Sequence, residues 1–300
     1  MPERQPPGYC DYEGSDYRTA FWGHRQREYE DAAERIALRR LLPPVGERLV
    51  EIGAGFGRLA DLYAGYREVI LLDPARSMLR QAQERLGDEG FTYVCGSIYD
   101  LPLDNASVDA ALTVRVLHHL RDVPAGLAEI HRIVRPNGCY VLEYANKRNL
   151  KALLRYVLGR GPNPFSRDPY EFVPLNFDFH PKYMEGELRK AGFALATQLS
   201  VSNLRLPILK RAISPAVLAK LDGLLQGPLA PLKLGPSIFV QAVPRRPQTS
   251  PGAGPLFRCP RCHAADLTEE ADRLVCQGCG RVWAVDEGIY DFREPISEGR

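Results

Sequence analysis

The feature that most constrains this chain is the alternation of short apolar segments with amphipathic ones between residues 48 and 145. Five apolar runs have the length of buried strands: RLVEIGA, EVILLD, FTYVCG, VDAALTVRV and CYVLEYA. The segments between them that show helical periodicity are GRLADLYAGY, RSMLRQAQERLG and PAGLAEIHRIVRPNG. Continuous apolar strands separated by helices are buried on both faces, so the pattern predicts an α/β fold with a covered parallel sheet.

The flanking segments are less regular. Residues 17–41 carry apolar residues at helical spacing, and the prolines and glycine of LLPPVGE end that helix. The basic segment 147–160 predicts an amphipathic helix, and the aromatic-rich residues after it predict a long ordered loop. Residues 207–232 predict a small helical insertion.

A composition shift near the carboxyl end predicts a domain boundary. The stretch RRPQTSPGAGP, residues 245–255, is rich in proline, glycine and polar residues, as linkers are. We therefore predict a large domain over residues 1–244 and a small one over residues 256–300. The large domain would carry insertions near residues 147–180 and 207–232.

Composition and charge exclude several classes of protein. The formal net charge of +2 is too near zero to indicate nucleic acid as an obvious partner. No apolar run approaches the roughly 18 residues of a transmembrane helix. The opening MPERQPPGYC has no apolar core of a signal peptide. We expect a soluble cytoplasmic protein.

The stretch LVEIGAGFGRLAD places a glycine-rich turn after the first predicted strand, where the backbone can approach a ligand closely. A dinucleotide-binding fingerprint would have its third glycine at position 58, where Arg58 stands. Glu51 precedes the turn, and a carboxylate there repels a pyrophosphate but suits a ligand with an ammonium group. Asp73 ends the second strand, where an acidic side chain can accept both hydroxyls of a ribose. The glycines of the turn are Gly53, Gly55 and Gly57.

Five segments, in order, resemble class I S-adenosylmethionine-dependent methyltransferases: VEIGAGFG, LLDPARSML, GSIYDLPLDNASVDA, RVLHHL and LAEIHRIVRPNG. The chain is most similar to the group that acts on quinone precursors, small metabolites and tRNA. The resemblance is strong over residues 45–145 and continues over residues 181–243 through the expected final helix and strands. It implies a Rossmann-like, doubly wound sheet of seven strands whose last strand is antiparallel.

The resemblance also implies where the cofactor S-adenosyl-L-methionine is bound. Glu51 and the loop 53–57 would hold its methionine part, and Asp73 its ribose. Met78 and Ile98 would sandwich the adenine ring.

The adenine amino group is the one cofactor contact for which this sequence departs from the family. Family members often carry Asp where Ser97 stands. Ser97 can accept one hydrogen bond from the amino group, or Asp100 takes over that contact.

Methyl transfer needs alignment of nucleophile, methyl and sulfur, and a general base only where the nucleophile holds a proton at neutral pH. Arg115, His118 and His119 follow the fourth predicted strand and are the candidates nearest the methyl group. We assign Arg115 to cofactor binding. His118 and His119 are candidate general bases, and a structural or cofactor-contact role is the alternative for both.

Three further features have two or more interpretations each. Arg27 could pair with the methionine carboxylate, or could be a surface arginine beside core aromatics. Asp178 and His180, in NFDFHP, could belong to a pocket for the methyl acceptor. The basic segment 147–160 is foremost a solvated helix that packs on the domain by its apolar face. Binding of RNA phosphates and a membrane-surface role are the alternatives.

The carboxyl-terminal segment contains CPRC and CQGC, two C-x2-C pairs separated by 13 residues. Two such pairs supply four thiolates for a tetrahedral structural Zn²⁺, with no open position for catalysis. With the ending RVWAVDEGIYDF, the segment resembles the small zinc-ribbon activator subunit of tRNA, rRNA and release-factor methyltransferases. It could cover an apolar edge, help to bind a macromolecular substrate, or only add stability. The predicted ligands are Cys259, Cys262, Cys276 and Cys279.

These observations favour an S-adenosylmethionine-dependent methyltransferase. The aromatic insertion favours a small or lipid-like acceptor, whereas the ribbon and the basic helix favour the alternative of a tRNA or rRNA substrate. A second alternative is a non-catalytic cofactor-binding adaptor or a nucleic-acid-binding module. Intact acidic residues and glycines at the cofactor loop argue against that last interpretation.

Overall fold

A computed structural model describes residues 8, 13–14, 27–246 and 255–299 of the 300-residue chain. The first part of the predicted amino-terminal helix, residues 17–26, lies outside the described residues, as do residues 247–254 of the predicted linker.

The helices and strands alternate through the first half of the chain, as the apolar pattern predicts. The α-helices are α1 (Glu28–Leu41), α2 (Arg76–Leu86), α3 (Val123–Ile133), α4 (Leu150–Val157), α5 (Pro181–Lys190), α6 (Pro207–Ala212) and α7 (Pro215–Gln226). The strands up to the predicted linker are β1 (Gly46–Ile52), β2 (Tyr66–Asp73), β3 (Phe91–Cys95), β4 (Val108–Thr113), β5 (Val134–Ala145), β6 (Tyr170–Val173), β7 (Asn176–Asp178), β8 (Phe193–Val201) and β9 (Ser237–Pro244). Beyond it lie β10 (Leu267–Glu270), β11 (Arg273–Cys276), β12 (Val282–Asp286) and β13 (Ile289–Asp291).

The central sheet has the order β3-β2-β1-β4-β5-β9-β8. Strands β3, β2, β1, β4 and β5 pair in parallel, whereas β9 pairs antiparallel with both β5 and β8. The order reverses at β1, so the loops after β1 and β4 diverge and leave a crevice between them. The α/β class and the Rossmann-like sheet predicted from the sequence are confirmed.

Two hydrophobic cores cover the two faces of this sheet. Alternate residues of β1 contribute to opposite cores: Val50 and Ile52 to the core that includes α3 and α5, Leu49 to the core that includes α1, α2 and α7. Because side chains of a strand alternate between faces, both sides of β1 have to be apolar. The strand is therefore buried apart from its beginning, as its continuous apolar sequence predicts.

The predicted helix in GRLADLYAGY was wrong. The structure has one 3₁₀ turn there, Ala60–Tyr63, and β2 begins at Tyr66. Directly after this turn Gly65 packs closely on the loop before β1, since a Cβ on it would lie 1.9 Å from the Pro44 carbonyl oxygen.

Three other predicted segments also differ from the structure. Strand β5 begins at Val134, so the segment RPNG belongs to the strand instead of ending the helix. The predicted helix 147–160 is shortened to α4, whose amino terminus is capped by Asn149 accepting from Ala152 N. The predicted loop after it contains an antiparallel hairpin, β6–β7.

The carboxyl-terminal unit continues the central sheet. Strands β10 to β13 pair antiparallel with one another, and β13 pairs in parallel with β3, with Ile289 opposite Tyr93 and Asp291 opposite Cys95. The Phe292 N–H also donates to the Cys95 carbonyl at 2.8 Å. The combined sheet has eleven strands, and the β3 edge is covered.

This unit also shares a hydrophobic core with the larger one. Trp283 is fully buried and Phe292 nearly so, and both belong to the same core as Leu101 and Leu103. The isolated bridge between Leu103 and Phe257 adds a backbone connection beside this core. The two units are therefore packed as one body at the β3 edge.

No helix among the described residues is long and apolar enough to cross a membrane.

Replacing Trp283 by alanine should destabilise the central sheet together with the carboxyl-terminal unit. Loss of a buried tryptophan costs about 3–5 kcal/mol. Because the core is shared, we expect the melting transition followed by far-ultraviolet circular dichroism to stay single and to shift downwards. Ile296→Ala, at a position that is 63% exposed in the same unit, is the control and should change stability by less than about 0.5 kcal/mol. Separate transitions for the two units would contradict the shared core.

Candidate functional site

A cleft opens at the carboxyl ends of β1, β2 and β4, where a doubly wound sheet holds its ligands. Its empty volume, including space open to solvent, is about 920 Å³. Many of the residues predicted from the sequence line it. These are Glu51, Gly53, Gly55, Asp73, Met78, Ile98, Arg115 and His119. Gly57, Ser97 and His118 are not among the lining residues.

Two glycines of the loop, Gly53 and Gly57, lie so close to a neighbouring side chain that any other residue would collide with it. A Cβ on Gly53 would lie 2.3 Å from Cγ2 of Val116, in a backbone conformation with φ of 76°. Gly55, with φ of 54°, has no neighbouring heavy atom within 4 Å of its ideal Cβ position and faces the open cleft. Gly57 packs instead against α2, since its Cβ would lie 2.8 Å from Leu86 Cδ1. Gly53 and Gly55 shape the cleft, and Gly57 holds the loop against the helix.

Glu51 places a carboxylate at the bottom of the cleft. Its side chain is 3% exposed, and its Oε2 has no hydrogen-bond partner among the described residues. Burial raises the pKa of Glu51 to about 7, against the lowering effects of Tyr63 and Arg58. An unpartnered buried carboxylate oxygen is costly, so this position is suited to a ligand that brings a positive charge and hydrogen-bond donors.

Asp73 ties the glycine loop to the end of β2. Its Oδ2 accepts from Gly55 N and its Oδ1 from Ala75 N, each at 2.8 Å. A carboxylate has about four acceptor positions, so these two bonds still allow it to accept further hydrogen bonds. Asp73 therefore fixes the loop geometry and also lines the cleft.

An ion-pair network supports one wall of the cleft. The buried Glu34 of α1 pairs with Arg115 and, at 2.9 Å, with Arg58. Burial would raise the pKa of Glu34, but the two guanidiniums hold it below its usual value. The Arg115 backbone N–H donates to Glu143 at 3.0 Å, which fixes a residue with φ of 61°. Arg115 thus lines the cleft with its charge balanced by Glu34.

Sequence reasoning missed Glu34 and Arg58 as parts of this wall. Arg58 was used only as evidence against a dinucleotide fingerprint. The available signal was the position of Arg58 directly after the glycines, because a side chain at that position begins beside the cleft. Glu34 lies on a helix far away in sequence, and no local pattern indicates its contact.

The predicted adenine side of the cleft is partly rearranged. Met78 and Ile98 line it, whereas Ser97 Oγ accepts from Tyr99 N at 3.2 Å and Asp100 is also not among the lining residues. No local pattern indicates the role of Glu13. Its carboxylate accepts from the Arg76 and Ser77 N–H groups, at 2.7 and 3.0 Å, at the start of the helix that carries Met78. These bonds satisfy two backbone donors at a helix start.

The two adjacent histidines are placed differently. His119 lines the cleft, and its Nδ1 lies 3.1 Å from the Leu175 carbonyl oxygen. A carbonyl can only accept, so Nδ1 carries the proton and Nε2 is the basic nitrogen of the neutral ring. Burial lowers the pKa of His119, and the bond to Leu175 opposes that effect. The ring of His118 contacts it at an interplanar angle of 47°, with centroids 4.0 Å apart.

His118 is a poor candidate for proton transfer to a ligand in this cleft. It does not line the cleft, and its Nδ1 has no hydrogen-bond partner among the described residues. Burial, with the neighbouring His119 and Arg115, holds the pKa of His118 well below its usual value. Its position is that of a half-buried neutral ring that packs against His119.

Three other residues considered from the sequence lie away from the cleft lining: Arg27, Asp178 and His180. Arg27 stands just before α1. His180 caps α5, accepting from Lys182 N at 3.1 Å. The hairpin reaches the cleft through the Leu175 carbonyl instead.

The predicted metal ligands meet in space. The four Sγ atoms of Cys259, Cys262, Cys276 and Cys279 lie within 4.8 Å of one another. Two of the separations are 3.8 Å and 3.4 Å. Thiolates at 2.3 Å from a tetrahedral Zn²⁺ would be roughly 3.8 Å apart, so the cluster fits that ion. His263 is outside the cluster and lies 3.0 Å from an Arg258 guanidinium nitrogen.

Comparisons with known proteins identify the central segment. Residues 50–142 match the family model described as a methyltransferase domain. The chain is 36% identical over 96 residues to a demethylmenaquinone methyltransferase of Chlamydia caviae, a match that covers 31% of this chain and 42% of the relative. It is 34% identical over 94 residues to a malonyl-[acyl-carrier protein] O-methyltransferase of Serratia marcescens, covering 31% and 36%. The chain spans less than half the length of the curated relatives that it matches first.

Solved structures show the same fold over a longer stretch. An S-adenosylmethionine-dependent methyltransferase of Mesorhizobium loti superposes with a TM-score of 0.55 and 23% identity, covering 72% of this chain and 99% of that one. A chain from the Haloferax volcanii complex of the Trm112 methyltransferase activator with a methyltransferase gives a TM-score of 0.53 and 19% identity, covering 78% and 98%. The fold is that of the S-adenosylmethionine-dependent methyltransferases.

Replacing Glu51 by glutamine should weaken binding of S-adenosylmethionine and remove its pH dependence. A hydrogen bond to a charged group contributes about 1.5–3 kcal/mol, so we expect roughly a 10- to 100-fold loss of affinity near pH 7.5. Because a bound ammonium group favours ionised Glu51, whose pKa in the free protein is about 7, wild-type affinity should fall as the pH drops from 7 to 5.5. Titration calorimetry at several pH values measures both effects.

A second measurement on wild type and Glu51→Gln is the free energy of unfolding of the ligand-free protein as a function of pH. Its Glu51 pKa is raised from 4.5 to about 7, so the folded state binds more protons between those values. The free energy of unfolding therefore gains a contribution as the pH falls through 7, and Glu51→Gln should lack it. Equal pH profiles of affinity for wild type and variant would show that Glu51 does not contact the ammonium group.

Proposed function

We propose that this protein is an S-adenosylmethionine-dependent methyltransferase that transfers a methyl group in line to a small, apolar or lipid-like acceptor. The observation that carries the proposal is the unpartnered buried oxygen of Glu51, beside Gly53 and Gly55 and on the same rim as Asp73. The ammonium group of the cofactor supplies the partner that the carboxylate lacks. The methyltransferase-domain match over residues 50–142 supports the same function.

The remaining cofactor contacts follow from the cleft walls. In this proposal the ribose hydroxyls donate to Asp73, and the adenine ring lies between Met78 and Ile98. Arg115 holds the wall nearest the methionine part, where its pairing with Glu34 fixes the guanidinium. Ser97 has no direct place in this arrangement, because it does not line the cleft.

The acceptor side of the cleft favours an apolar compound over RNA. Beyond His119 lies the hairpin β6–β7, whose Phe172 and Val173 are 52% and 51% exposed. Leu120 adds apolar surface to the lining. The demethylmenaquinone methyltransferase among the relatives acts by its name on a quinone precursor. An RNA acceptor is the alternative, and the cationic segment beside the hairpin is what favours it.

His119 is the general base in this proposal wherever the acceptor holds a proton. Its Nδ1 is fixed by the Leu175 carbonyl, which directs the basic Nε2 away from that bond. The lowered pKa of His119 keeps the ring neutral at neutral pH, so it can accept a proton without first losing one. For an acceptor that is already anionic, positioning in the cleft is sufficient.

We propose further that the four clustered cysteines bind a structural Zn²⁺, and that residues 256–300 form a zinc ribbon joined to the catalytic domain by the linker. The ribbon covers the β3 edge and braces α2, since the Gln83 amide donates to the Glu287 carbonyl at 2.8 Å. Arg80 adds an ion pair to Asp286 at 3.2 Å. These contacts favour a supporting role for the ribbon next to the cofactor site. A cytoplasmic location is part of the same proposal.

Methyl transfer from radiolabelled cofactor to a cell extract, separated into small-molecule, lipid, protein and RNA fractions, tests the function directly. We expect label in the lipid or small-molecule fraction. Label in RNA would support the alternative acceptor. Binding of S-adenosylhomocysteine without label in any fraction would instead support a non-catalytic adaptor.

Two variants should separate cofactor binding from catalysis. Asp73→Ala loses ribose hydrogen bonds, so we expect cofactor affinity to fall by about tenfold or more, with zinc content unchanged. His119→Gln keeps a polar side chain but cannot take up the proton, so kcat should fall by about 10²-fold with little change in cofactor affinity. At saturating cofactor, the wild-type rate should decline only below pH 6.5. A His119→Gln enzyme with normal kcat would exclude the histidine as the base.

Zinc binding has its own test. Cys276→Ser removes one thiolate, and we expect the zinc content measured by atomic emission to drop well below one ion per chain, with a lower melting temperature. Cys139→Ser is the control, because Cys139 is a buried cysteine of β5 outside the cluster. Full zinc content in Cys276→Ser would refute the ribbon.

A further inference from the structure

Helix α4 packs on the domain only in part, through the half-buried Ala152 and Leu153, and less than its apolar spacing led us to expect. No residue of α4 is buried. The side chains of Leu150, Leu154 and Val157 are 53%, 58% and 82% exposed, and that of Leu158, just after the helix, is 67% exposed. These residues follow each other at i, i+4 and i+7 spacing, so they form one apolar stripe.

The stripe continues into the hairpin that follows it. Phe165 is 55% exposed and makes an edge contact with Tyr156, with ring centroids 5.9 Å apart. Phe172 and Val173 at the end of β6 are 52% and 51% exposed. We call α4, the connecting loop and the hairpin β6–β7, residues 147–178, the apolar–basic surface.

Cations accompany these apolar side chains. Residues 147–167 contain six Lys or Arg and no Asp or Glu: Lys147, Arg148, Lys151, Arg155, Arg160 and Arg167. The remainder of the surface, residues 168–178, adds the three acidic residues Asp168, Glu171 and Asp178, so its net charge is positive and the cations are concentrated on the helix side. Lys147 is buried and donates to the Ser166 and Asp168 carbonyls, at 3.2 and 2.7 Å, which holds the loop beneath the helix. None of the other five forms an ion pair with a described residue.

This surface adjoins the mouth of the cleft. The hairpin turn between β6 and β7 holds His119 through the Leu175 carbonyl. Where the hairpin ends, the Lys147 backbone N–H donates to the Phe179 carbonyl at 2.9 Å. The apolar–basic surface therefore lies next to the wall of the cleft that His119 forms.

We propose that the apolar–basic surface docks on an anionic lipid bilayer, so that an apolar acceptor enters the cleft from the membrane. The acceptor class rests on the function proposed above, whereas the docking itself does not. Aliphatic side chains enter the acyl boundary of the bilayer, and Lys151 and Arg155, one helix face away, reach the anionic headgroups. Apolar area combined with a cationic flank is the pattern of interfacial helices.

The character of the exposed side chains favours a bilayer over RNA. Single-stranded RNA is bound by aromatic stacking together with phosphate contacts. Here the most exposed hydrophobic side chains are the aliphatic Val157 and Leu158, at 82% and 67%, ahead of the aromatic Phe165 and Phe172, at 55% and 52%. The two aliphatic side chains gain little from bases or phosphates but gain free energy in a lipid environment.

Vesicle flotation of the full chain tests the docking. We expect the wild-type protein to float with vesicles of phosphatidylcholine containing roughly 30% phosphatidylglycerol, and to bind pure phosphatidylcholine much more weakly. Lys151→Glu/Arg155→Glu reverses two cations and should lower the partition coefficient on the anionic vesicles by about tenfold or more. Added salt should weaken wild-type binding, because the headgroup attraction is screened.

A matched pair of valine substitutions tests the apolar part. Val157→Asp should abolish most vesicle binding, whereas Val45→Asp should leave it unchanged. Val45 is 69% exposed at the opposite end of β1, so both variants place an aspartate at an exposed valine. Circular dichroism melting establishes that each variant is folded. If Val157→Asp fails to fold, Val157→Ser takes its place, with a smaller expected loss.

Three results would overturn the docking: no flotation of the wild type with anionic vesicles, equal losses in both valine variants, or binding of polyuridylate that depends on Lys151 and Arg155 while vesicles are ignored. The last would assign the surface to RNA. Calorimetry with S-adenosylhomocysteine in the absence of vesicles tests the cofactor site independently. Failure of the docking and failure of the methyltransferase assignment are therefore distinguishable.

Discussion

The constraint on which the rest of this structure depends is the burial of a parallel sheet on both faces. Strands β1 and β2 are apolar on both sides, so polar groups are tolerated only where the strands end. Glu51 and Asp73 stand at those ends, and the glycines between them bring the backbone close. The requirement to bury the strands thus puts two carboxylates at one opening, where an ammonium group and a sugar diol can each be bound.

The carboxyl-terminal unit joins the central sheet at the β3 edge. An exposed edge strand is a site for unwanted pairing, and here β13 occupies it. The same unit contacts α2, the helix that carries Met78, and its Arg293 lies 3.3 Å from the Glu13 carboxylate that caps the start of α2. The segment with the cysteine cluster and the cleft therefore share one helix, which favours a supporting role over an independent binding module.

Much of the fold and part of the site could be predicted from local patterns. The alternation of strands and helices, the acidic residues at two strand ends and the C-x2-C pairs are short-range features, and local chemistry fixes them. The predicted helix after the glycine loop was wrong, and the packing of Gly65 against Pro44 directly after it is a contact that periodicity does not report. The prediction for α4 was wrong in a different way. The apolar spacing correctly predicted a helix, but spacing does not report whether another element packs against the apolar face.

What the sequence determined is therefore the class of sheet, the acidic rim of the cleft and the four thiolates, since each depends on residues a few positions apart. Only the tertiary structure decided that His119 and not His118 faces the cleft, that Glu34 balances Arg115, and that an apolar stripe is left exposed. These depend on contacts between residues far apart in sequence. Such contacts are set by how the elements pack around the sheet, and no single segment encodes that packing.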